Sequence, residues 1–326
     1  MKSFAFVFPG QGSQSVGMLD AWGDHPAVTE TLKEASDALG EDVGRLIREG
    51  PKEALALTTN TQPVMLVAGI AAWRAWLAEG GARPAVVAGH SLGEYSALVA
   101  ADVLTLAQAA PLVRLRADAM QRAVPVGAGA MAAILGMEAS KVVAGCAEVT
   151  GSFGPDSGEV VEAVNFNDPM QTVIAGSKAA VEKACEALKA SGAKRALPLP
   201  VSAPFHSSLM RPAAEALRDR LASLSLAAPR IPVLNNVDVA IETEADRIRD
   251  ALVRQAAGPV RWVESVQALA AFGQAAPGEV PGVEAIIECG PGKVLAGMAK
   301  RIAPALLAAS VSDPASLADV RRQLAA

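Results

Sequence analysis

Gly89-His90-Ser91-Leu92-Gly93 follows the apolar run Ala85-Val86-Val87-Ala88 and leads into Glu94-Tyr95-Ser96-Ala97-Leu98-Val99. The apolar run predicts a buried strand, and the residues after the second glycine predict a helix. A serine on the sharp turn between a strand and a helix is the context in which the pattern G-x-S-x-G presents a nucleophile. The N–H groups that open such a helix would face an oxyanion formed at Ser91. This stretch therefore predicts an α/β fold with Ser91 as a candidate nucleophile.

Residues 129–200 have a pattern that differs from the rest of the chain. Their predicted order, β-α-β-β-α-β, is that of a ferredoxin-like unit. Outside this segment helices alternate with strands in doubly wound fashion, so we predict a large α/β-hydrolase-like domain, residues 1–128 and 201–326, with residues 129–200 inserted as a small domain. The active site is expected in the cleft between the two. The predicted elements of the insertion are strands at Met131–Met137, Val160–Asn165, Thr172–Ala175 and Ala196–Leu199 and helices at Ala139–Val149 and Lys178–Ser191.

The composition excludes several classes of protein. Of the 326 residues, 51% are hydrophobic and 19% are charged, which is enough to bury a large core, and the net charge of −5 argues against nucleic-acid binding. The apolar run after Met1-Lys2-Ser3 is too short for a signal sequence or a membrane span, and no later run is long enough. Cys146, Cys185 and Cys289 lack metal-ligand spacing. We therefore expect a cytoplasmic protein without a membrane, nucleic-acid or metal partner.

Two glycine-rich segments resemble nucleotide-binding loops but lack essential residues. Gly10-Gln11-Gly12 follows a predicted strand, yet Ser15 stands where the dinucleotide fingerprint requires a third glycine. Gly290-Pro291-Gly292-Lys293 is followed by Val294, where a phosphate-binding loop has serine or threonine. Neither segment predicts a nucleotide cofactor.

The chain has three histidines, and histidine is the usual base for a serine nucleophile. His25 lies in a polar loop and is expected in solvent, whereas the side chain of His90 should diverge from that of its neighbour Ser91. His206, directly after the inserted segment, is therefore the favoured base, and the alternative is a hydrogen-bonded histidine at a domain junction. No acidic residue stands out as its partner, so an amide side chain or a main-chain carbonyl would orient it. The missing acid and the long stretch of chain after His206 argue against an ordinary esterase.

Arg116 is the second candidate functional residue. The predicted helix Leu106–Arg122 also carries Arg114 and Arg122, and both have Asp118 one turn away. The helical neighbours of Arg116 are apolar, so its guanidinium should point inward without a local carboxylate. A buried guanidinium needs an anion. That anion is either a structural carboxylate from elsewhere in the chain or a carboxylate of the substrate.

Several short motifs occur in a fixed order from one end of the chain to the other. They are Phe8-Pro9-Gly10-Gln11-Gly12-Ser13-Gln14, Gly89-His90-Ser91-Leu92-Gly93-Glu94-Tyr95, Arg116, Asn165-Phe166-Asn167, Ala203-Pro204-Phe205-His206, Gln255, Pro259-Val260-Arg261-Trp262 and Glu288-Cys289-Gly290-Pro291-Gly292. As a set they are far more specific than any one of them. By this set the chain resembles the malonyl-CoA:acyl carrier protein transacylases, the acyltransferases of fatty-acid synthesis.

The resemblance implies a role for each matching residue. Ser91 would be the nucleophile and His206 its base, oriented by a main-chain carbonyl from the stretch that holds Gln255. The main-chain N–H groups of Gln11 and Leu92 would form the oxyanion hole. Among the substrate-binding residues, Arg116 would bind the malonyl carboxylate. The predicted substrate-binding residues are Arg116, Met120, Asn165 and Phe205. Phe205, beside the base, would form a wall against a methyl branch on the acyl group.

The predicted reaction is ping-pong: the malonyl group moves from CoA to the serine and then to the phosphopantetheine thiol of acyl carrier protein. The CoA thioester is a substrate, the phosphopantetheine belongs to the carrier, and no bound cofactor is expected. The alternatives are an acyltransferase for another carrier, in polyketide synthesis or malonate decarboxylation, a serine thioesterase or hydrolase, and a non-catalytic acyl-binding protein. We expect a monomer with peripheral loops at Gly151–Gly158 and Gly273–Gly282. Candidate basic residues for docking the carrier are Lys194-Arg195, Lys293, Lys300 and Arg301.

Overall fold

The computed structural model describes residues 1–201, 203–273 and 282–326, and its strands form two separate sheets. The strands are β1 (Phe4–Phe8), β2 (Val86–Gly89), β3 (Gly129–Leu135), β4 (Val161–Asp168), β5 (Gln171–Ser177), β6 (Arg195–Pro198), β7 (Val233–Leu234), β8 (Ala285–Cys289) and β9 (Leu307–Val311). The α-helices are α1 (Pro26–Leu39), α2 (Val43–Glu49), α3 (Lys52–Ala56), α4 (Thr58–Ala78), α5 (Gly93–Ala100), α6 (Leu106–Arg122), α7 (Ala139–Gly151), α8 (Lys178–Ala190), α9 (Arg211–Ala222), α10 (Ala245–Ala256), α11 (Trp262–Ala271), α12 (Val294–Ile302) and α13 (Pro314–Ala325).

The large sheet contains β7, β2, β1, β8 and β9 in that order, and all its paired strands are parallel. Its central strand β1 is apolar along its whole length, as expected of a strand with both faces covered. Phe4 and Phe6 belong to the apolar cluster on one face, where both rings meet Trp76 of α4 edge to face. Ala5 and Val7 belong to the cluster on the other face. The predicted doubly wound α/β architecture is confirmed.

The small sheet contains β4, β5, β3 and β6 in that order, and its pairs are antiparallel. Helices α7 and α8 cover it with an apolar core of their own that includes Val142, Cys146 and Val181. The order and directions of the strands are those of the ferredoxin-like unit that the sequence predicts. The boundaries proposed for the two domains, at residues 128/129 and 200/201, remain a prediction.

Strand β4 links the small sheet to the segment that precedes α11. Its Phe166 N–H donates to the carbonyl of Val260 at 3.0 Å, and the Val260 N–H donates to the carbonyl of Val164 at 2.8 Å. An ion pair of 2.9 Å between Asp168 Oδ2 and Arg301 Nε adds a second connection. The predicted strand ends at Asn165, whereas β4 continues to Asp168, which pairs with Gln171 of β5. The small sheet therefore forms one wall of the cleft.

The expectation that His25 lies in solvent was wrong. His25 is not free in solvent: it caps α1 by accepting the N–H of Ala27 on Nδ1, and its Nε2 lies 3.3 Å from a carboxylate oxygen of Glu79. The capping bond is local, whereas the contact with Glu79 forms because α1 folds back towards the end of α4. No helix in the described part of the chain is both long and apolar enough to cross a membrane.

The arginines that flank Arg116 also differ from the prediction. Arg114 pairs with Glu41 and donates to the carbonyl of Thr59, instead of pairing with Asp118. Arg122 bonds the main-chain carbonyl of Asp118 at 3.1 Å, not its carboxylate. Partners from other elements replace the local ones that helical spacing predicts. Of the loop Gly273–Gly282, residues 274–281 lie outside the described part, and so its peripheral position stays a prediction.

Candidate active site

Ser91 lies on the turn between β2 and α5, with a left-handed backbone at φ +53°. The two flanking glycines are required by close packing. A Cβ on Gly89 would lie 1.9 Å from the carbonyl carbon of Gly93, and a Cβ on Gly93 would lie 2.0 Å from the carbonyl oxygen of Phe8. The strand, turn and helix are those that the sequence predicts, and they present the serine hydroxyl above the end of the large sheet.

His206 is within hydrogen-bonding distance of the serine, with 2.6 Å between Ser91 Oγ and His206 Nε2. Its Nδ1 faces two main-chain carbonyl oxygens, of Gln255 at 2.9 Å and of Gly258 at 3.2 Å. Because carbonyl oxygens only accept, the proton lies on Nδ1, and the lone pair of Nε2 faces the serine hydroxyl. A backbone carbonyl thus takes the place that a carboxylate has in most serine–histidine sites.

The imidazole of His206 is held in its neutral form. Burial, together with the positive charge of Arg116, lowers its pKa to about 3. The ring is 4% exposed, and its backbone also has a positive φ, of +65°. A neutral imidazole at physiological pH can accept a proton from the serine hydroxyl.

Arg116 is 1% exposed and points towards the serine. Its Nη1 donates to Gln62 Oε1 at 2.5 Å, and its Nη2 donates to Gln255 Oε1 at 3.0 Å and to Ser91 Oγ at 3.2 Å. Its guanidinium carbon lies 5.4 Å from the centroid of the Tyr95 ring. Within the described residues no carboxylate bonds this guanidinium, so the structural ion pair that the sequence left open is not formed. The positive charge is available to an anion beside the serine.

The main-chain N–H groups of the turn differ in their partners. The N–H of Ser91 donates to Asn236 Oδ1 at 2.7 Å, and that of Gly93 donates to a main-chain carbonyl at 2.9 Å. Between them, the N–H of Leu92 has no hydrogen-bond partner among the residues described. Gln11 borders the same cleft from the loop after β1. Both predicted oxyanion donors therefore lie at the cleft beside the serine.

The cleft between the two sheets has a volume of about 380 Å³. The amide oxygen of Asn165 is buried in its wall and has no partner among the described atoms, so it can accept a hydrogen bond from a ligand. Gln255 lies behind the wall and acts through its contacts with other residues. The predicted site residues that line the cleft are Gln11, Ser91, Leu92, Arg116, Met120, Asn165, Phe205 and His206.

Three polar residues of the site were missed from the sequence. Gln62 of α4 holds Arg116, and Asn236 holds the serine turn. Glu94 is 2% exposed, and burial raises the pKa of its carboxyl to about 7. Gln62 and Asn236 are distant from the turn in sequence, and only the packing of α4 and the loop after β7 brings them there. Glu94 could have been noticed, because a carboxylate directly after G-x-S-x-G lies at the buried start of a helix.

His90, the neighbour of the serine, is not part of the proton transfer pair. Its Nε2 lies 2.8 Å from Asn167 Oδ1, and its ring packs edge to face on Trp262. Burial lowers the pKa of His90. The expectation that its side chain diverges from Ser91 agrees with this geometry.

A serine on a strand–turn–helix corner, a histidine oriented by a main-chain carbonyl and a buried guanidinium beside the same cleft together indicate an acyl transferase. The family described as acyl transferase domain matches residues 5–285 of this chain. A malonyl CoA-acyl carrier protein transacylase from Escherichia coli K12 is 52% identical over 98% of each chain. The chain belongs to the malonyl-CoA:acyl carrier protein transacylase family, and the resemblance inferred from its motifs is confirmed.

Solved structures show the same relationship. The crystal structure of an acyl-carrier-protein S-malonyltransferase from Burkholderia pseudomallei 1710b is 61% identical, with a TM-score of 0.92 over 98% of this chain and 99% of that one. A malonyl-transacylase in complex with a type II polyketide synthase acyl-carrier protein is 49% identical, with a TM-score of 0.92 and the same coverage. The chain thus matches these relatives in sequence and in fold over nearly its whole length.

Proposed function

We propose that this enzyme transfers the malonyl group of malonyl-CoA to the phosphopantetheine thiol of an acyl carrier protein and so supplies fatty-acid synthesis. One observation carries this proposal: the Arg116 guanidinium lies 3.2 Å from Ser91 Oγ and has no carboxylate partner in the described structure. In a malonyl thioester the free carboxylate is one methylene away from the reacting carbonyl. A single small diacid can therefore reach the guanidinium and the hydroxyl together.

In the first half of the reaction, Ser91 Oγ attacks the thioester carbonyl while His206 Nε2 takes the hydroxyl proton. The main-chain N–H groups of Leu92 and Gln11 stabilise the oxyanion, and donors of this kind are worth roughly 3–4 kcal/mol each. The tetrahedral intermediate then breaks its carbon–sulfur bond. CoA leaves as the thiol with the proton from His206, and a malonyl ester remains on Ser91.

The second half runs the same steps with the carrier thiol. The thiol proton passes to His206 Nε2, and the sulfur attacks the ester carbonyl on Ser91. Collapse of the second tetrahedral intermediate breaks the bond to Ser91 Oγ, which recovers its proton from His206. No bound cofactor takes part, because CoA is a substrate and the phosphopantetheine arrives on the carrier.

The malonyl carboxylate also affects the base. Arg116 is one of the charges that lower the pKa of His206 in the free protein. A carboxylate bound to Arg116 offsets that charge, so the pKa of His206 rises when malonyl is bound. A dicarboxylic acyl group would therefore meet a stronger base than an acetyl group does.

The remaining cleft residues set the shape of the acyl site. Phe205 is a wall beside the base, and exclusion of one methyl branch by such a wall is worth about 1–3 kcal/mol. Met120 packs near Gln62, with 3.8 Å between its sulfur and the amide nitrogen. We assign Asn165, with its free amide oxygen, to a donor on the thioester arm of the substrate.

A second carrier remains a candidate. The relative in complex with a type II polyketide synthase carrier is 49% identical to this chain, which supports a polyketide carrier as a second candidate acceptor. Comparing kcat/KM for fatty-acid and polyketide carriers at fixed malonyl-CoA decides between them. We place the reaction in the cytoplasm, which is consistent with the free cysteines Cys146, Cys185 and Cys289. We assign the reaction to a monomer.

Mass spectrometry of the protein mixed with malonyl-CoA tests the proposal. One malonyl group should appear on the peptide that contains Ser91 and should be absent from Ser91→Ala. Addition of carrier with its phosphopantetheine should remove the group and load the carrier. Label on another residue, or malonate released equally fast with and without the carrier, would refute the transfer and favour a hydrolase.

A further inference from the structure

Asn236 follows β7, the edge strand beside β2 in the large sheet. The two strands pair in parallel until Ala88 and Leu234, after which β2 turns into the serine corner. Beyond that point the side chain of Asn236 continues the pairing: its Nδ2 donates to the carbonyl of Gly89, and its Oδ1 accepts the N–H of Ser91, both at 2.7 Å. A side-chain amide thus replaces a neighbouring peptide where the strand ends.

The other side of Asn236 is also held. Its main-chain N–H donates to Glu94 Oε2 at 2.9 Å. The same carboxylate oxygen accepts Gln255 Nε2 at 3.0 Å, and Gln255 Nε2 also donates to the carbonyl of Ser91 at 2.9 Å. The peptide groups on both sides of the nucleophile are therefore bonded by the side chains of Asn236 and Gln255, and both of these residues also donate to the Glu94 carboxylate.

Asn236 is completely buried, so water cannot replace its amide without a rearrangement of the turn. Ser91 has a left-handed backbone, which costs a residue other than glycine about 1–3 kcal/mol and persists only where its surroundings impose it. The bond to Ser91 N–H also leaves the next N–H, of Leu92, for the oxyanion. The position of the nucleophile and that of its oxyanion donor depend on the same amide.

We propose that Asn236 is a positioning residue for the nucleophile: its amide holds the corner so that Ser91 Oγ faces His206 and the Leu92 N–H faces the oxyanion. This inference rests on the proposed function and adds a residue to it. Asn236 touches neither substrate nor the reacting atoms. Its effect should therefore fall on kcat of acylation, and equally for every acyl group.

The variant Asn236→Asp tests this role because its protonated and ionised forms differ at the donor position. A protonated carboxyl can donate to the Gly89 carbonyl and accept from Ser91 N–H, as the amide does. An ionised carboxylate cannot donate and repels the Gly89 oxygen. The charged groups around it are Glu94 on α5, and beyond Glu94 the charges of Arg116 and Asp238. Burial and the Glu94 carboxylate should raise the pKa of the introduced carboxyl into the assay range.

The measurement is the rate of acyl-enzyme formation, by rapid quench and mass spectrometry, as a ratio of variant to wild type at each pH. For Asn236→Asp we expect a ratio within about threefold of one at pH 5.5 and at least about tenfold lower at pH 8.5, with malonyl-CoA and acetyl-CoA alike. Asn236→Leu, which has no polar atoms, should be slow at both values. Circular dichroism at each pH verifies that the variants are folded.

Asn235→Asp is the matched control. Asn235 makes the same kind of bridge, to the Ala240 carbonyl at 3.0 Å and the Asp238 N–H at 2.8 Å, but away from the serine corner. Its ratio to wild type should not change with pH. A pH-independent ratio for Asn236→Asp, or equal rates for Asn236→Asp and Asn236→Leu at pH 5.5, would overturn the positioning role. Either result leaves the proposed function intact if the wild type forms malonyl-Ser91, whereas failure of the wild type to do so refutes the function itself.

Discussion

Arg116 shows at the residue scale how a buried charge becomes selective. Its neighbours Gln62 and Gln255 offer neutral oxygens, which orient the guanidinium without neutralising it. Under the proposed function, an acyl group with a carboxylate would pair with this charge, whereas an acyl group without one would leave it unpaired in a buried site. The proposed selection depends on the absence of a carboxylate bonded to Arg116 within the described residues.

We expect Arg116→Ala to lower kcat/KM for malonyl-CoA and to shift the malonyl-to-acetyl ratio of kcat/KM towards acetyl by on the order of 100-fold. Steady-state assays with the two thioesters measure this ratio. Arg114→Ala is the control, because Arg114 lies on the same helix but pairs with Glu41 outside the cleft. An unchanged ratio in Arg116→Ala would remove the carboxylate-binding role.

At the scale of elements, a second buried acid lies beside the start of α12. Glu288, at the end of β8, accepts the N–H of Ala296 at 2.9 Å and faces the first N–H groups of the helix. These groups favour a negative charge. Burial opposes it more strongly, and the pKa of Glu288 is raised to about 7. The folded protein therefore keeps a proton on Glu288 at a pH where the unfolded chain has lost it.

Stability should consequently depend on pH through Glu288. Its contribution is fully present below the ordinary carboxyl pKa and is lost as pH rises from there through about 7, because the unfolded chain releases a proton that the folded protein retains. We expect the free energy of unfolding of Glu288→Gln, measured relative to wild type, to be about 2 kcal/mol higher at pH 8 than at pH 5. Urea unfolding at the two pH values gives the free energies. The exposed carboxyl variant Glu53→Gln is the control, and an equal pH effect in wild type and Glu288→Gln would contradict the assignment.

At the scale of the whole molecule, the cleft lies between the large and the small sheet. One side of its mouth is α12, whose Leu295 and Met298 line the cleft while Lys293 and Lys300 are exposed. Arg301, a further docking candidate, is paired with Asp168 of β4. The chain as a whole is acidic, with a net charge of −5, so an acidic carrier requires a local basic surface.

Reversing the charge of the lysines at the mouth of the cleft should weaken the binding of acyl carrier protein but not that of malonyl-CoA. We expect the double variant Lys293→Glu with Lys300→Glu to raise the KM for acyl carrier protein at least about fivefold, with the KM for malonyl-CoA nearly unchanged. Lys33→Glu, on the exposed face of α1, is the control. Equal increases in both KM values would count against docking at α12, and unchanged values would move the docking surface to Lys194 and Arg195.

Much of this protein is specified by short stretches of sequence. The strand, turn and helix around Ser91, the bounds of α6 and the order of elements in the small sheet all follow from local periodicity and from glycines that only close packing explains. His206 is the base predicted by elimination among three histidines, and its Nε2 lies 2.6 Å from Ser91 Oγ. These features depend on neighbours in sequence, which is why they can be predicted without the fold.

The tertiary structure alone decided the polar partners. Gln62, Asn236 and the carbonyl of Gly258 reach the site from elements far apart in sequence, and Arg114 bonds Glu41 instead of its helical neighbour. A hydrogen bond needs a donor and an acceptor about 3 Å apart, and that distance is set by how helices and loops pack. Residue order therefore specifies which groups can carry out the chemistry, whereas packing specifies which groups hold them in position.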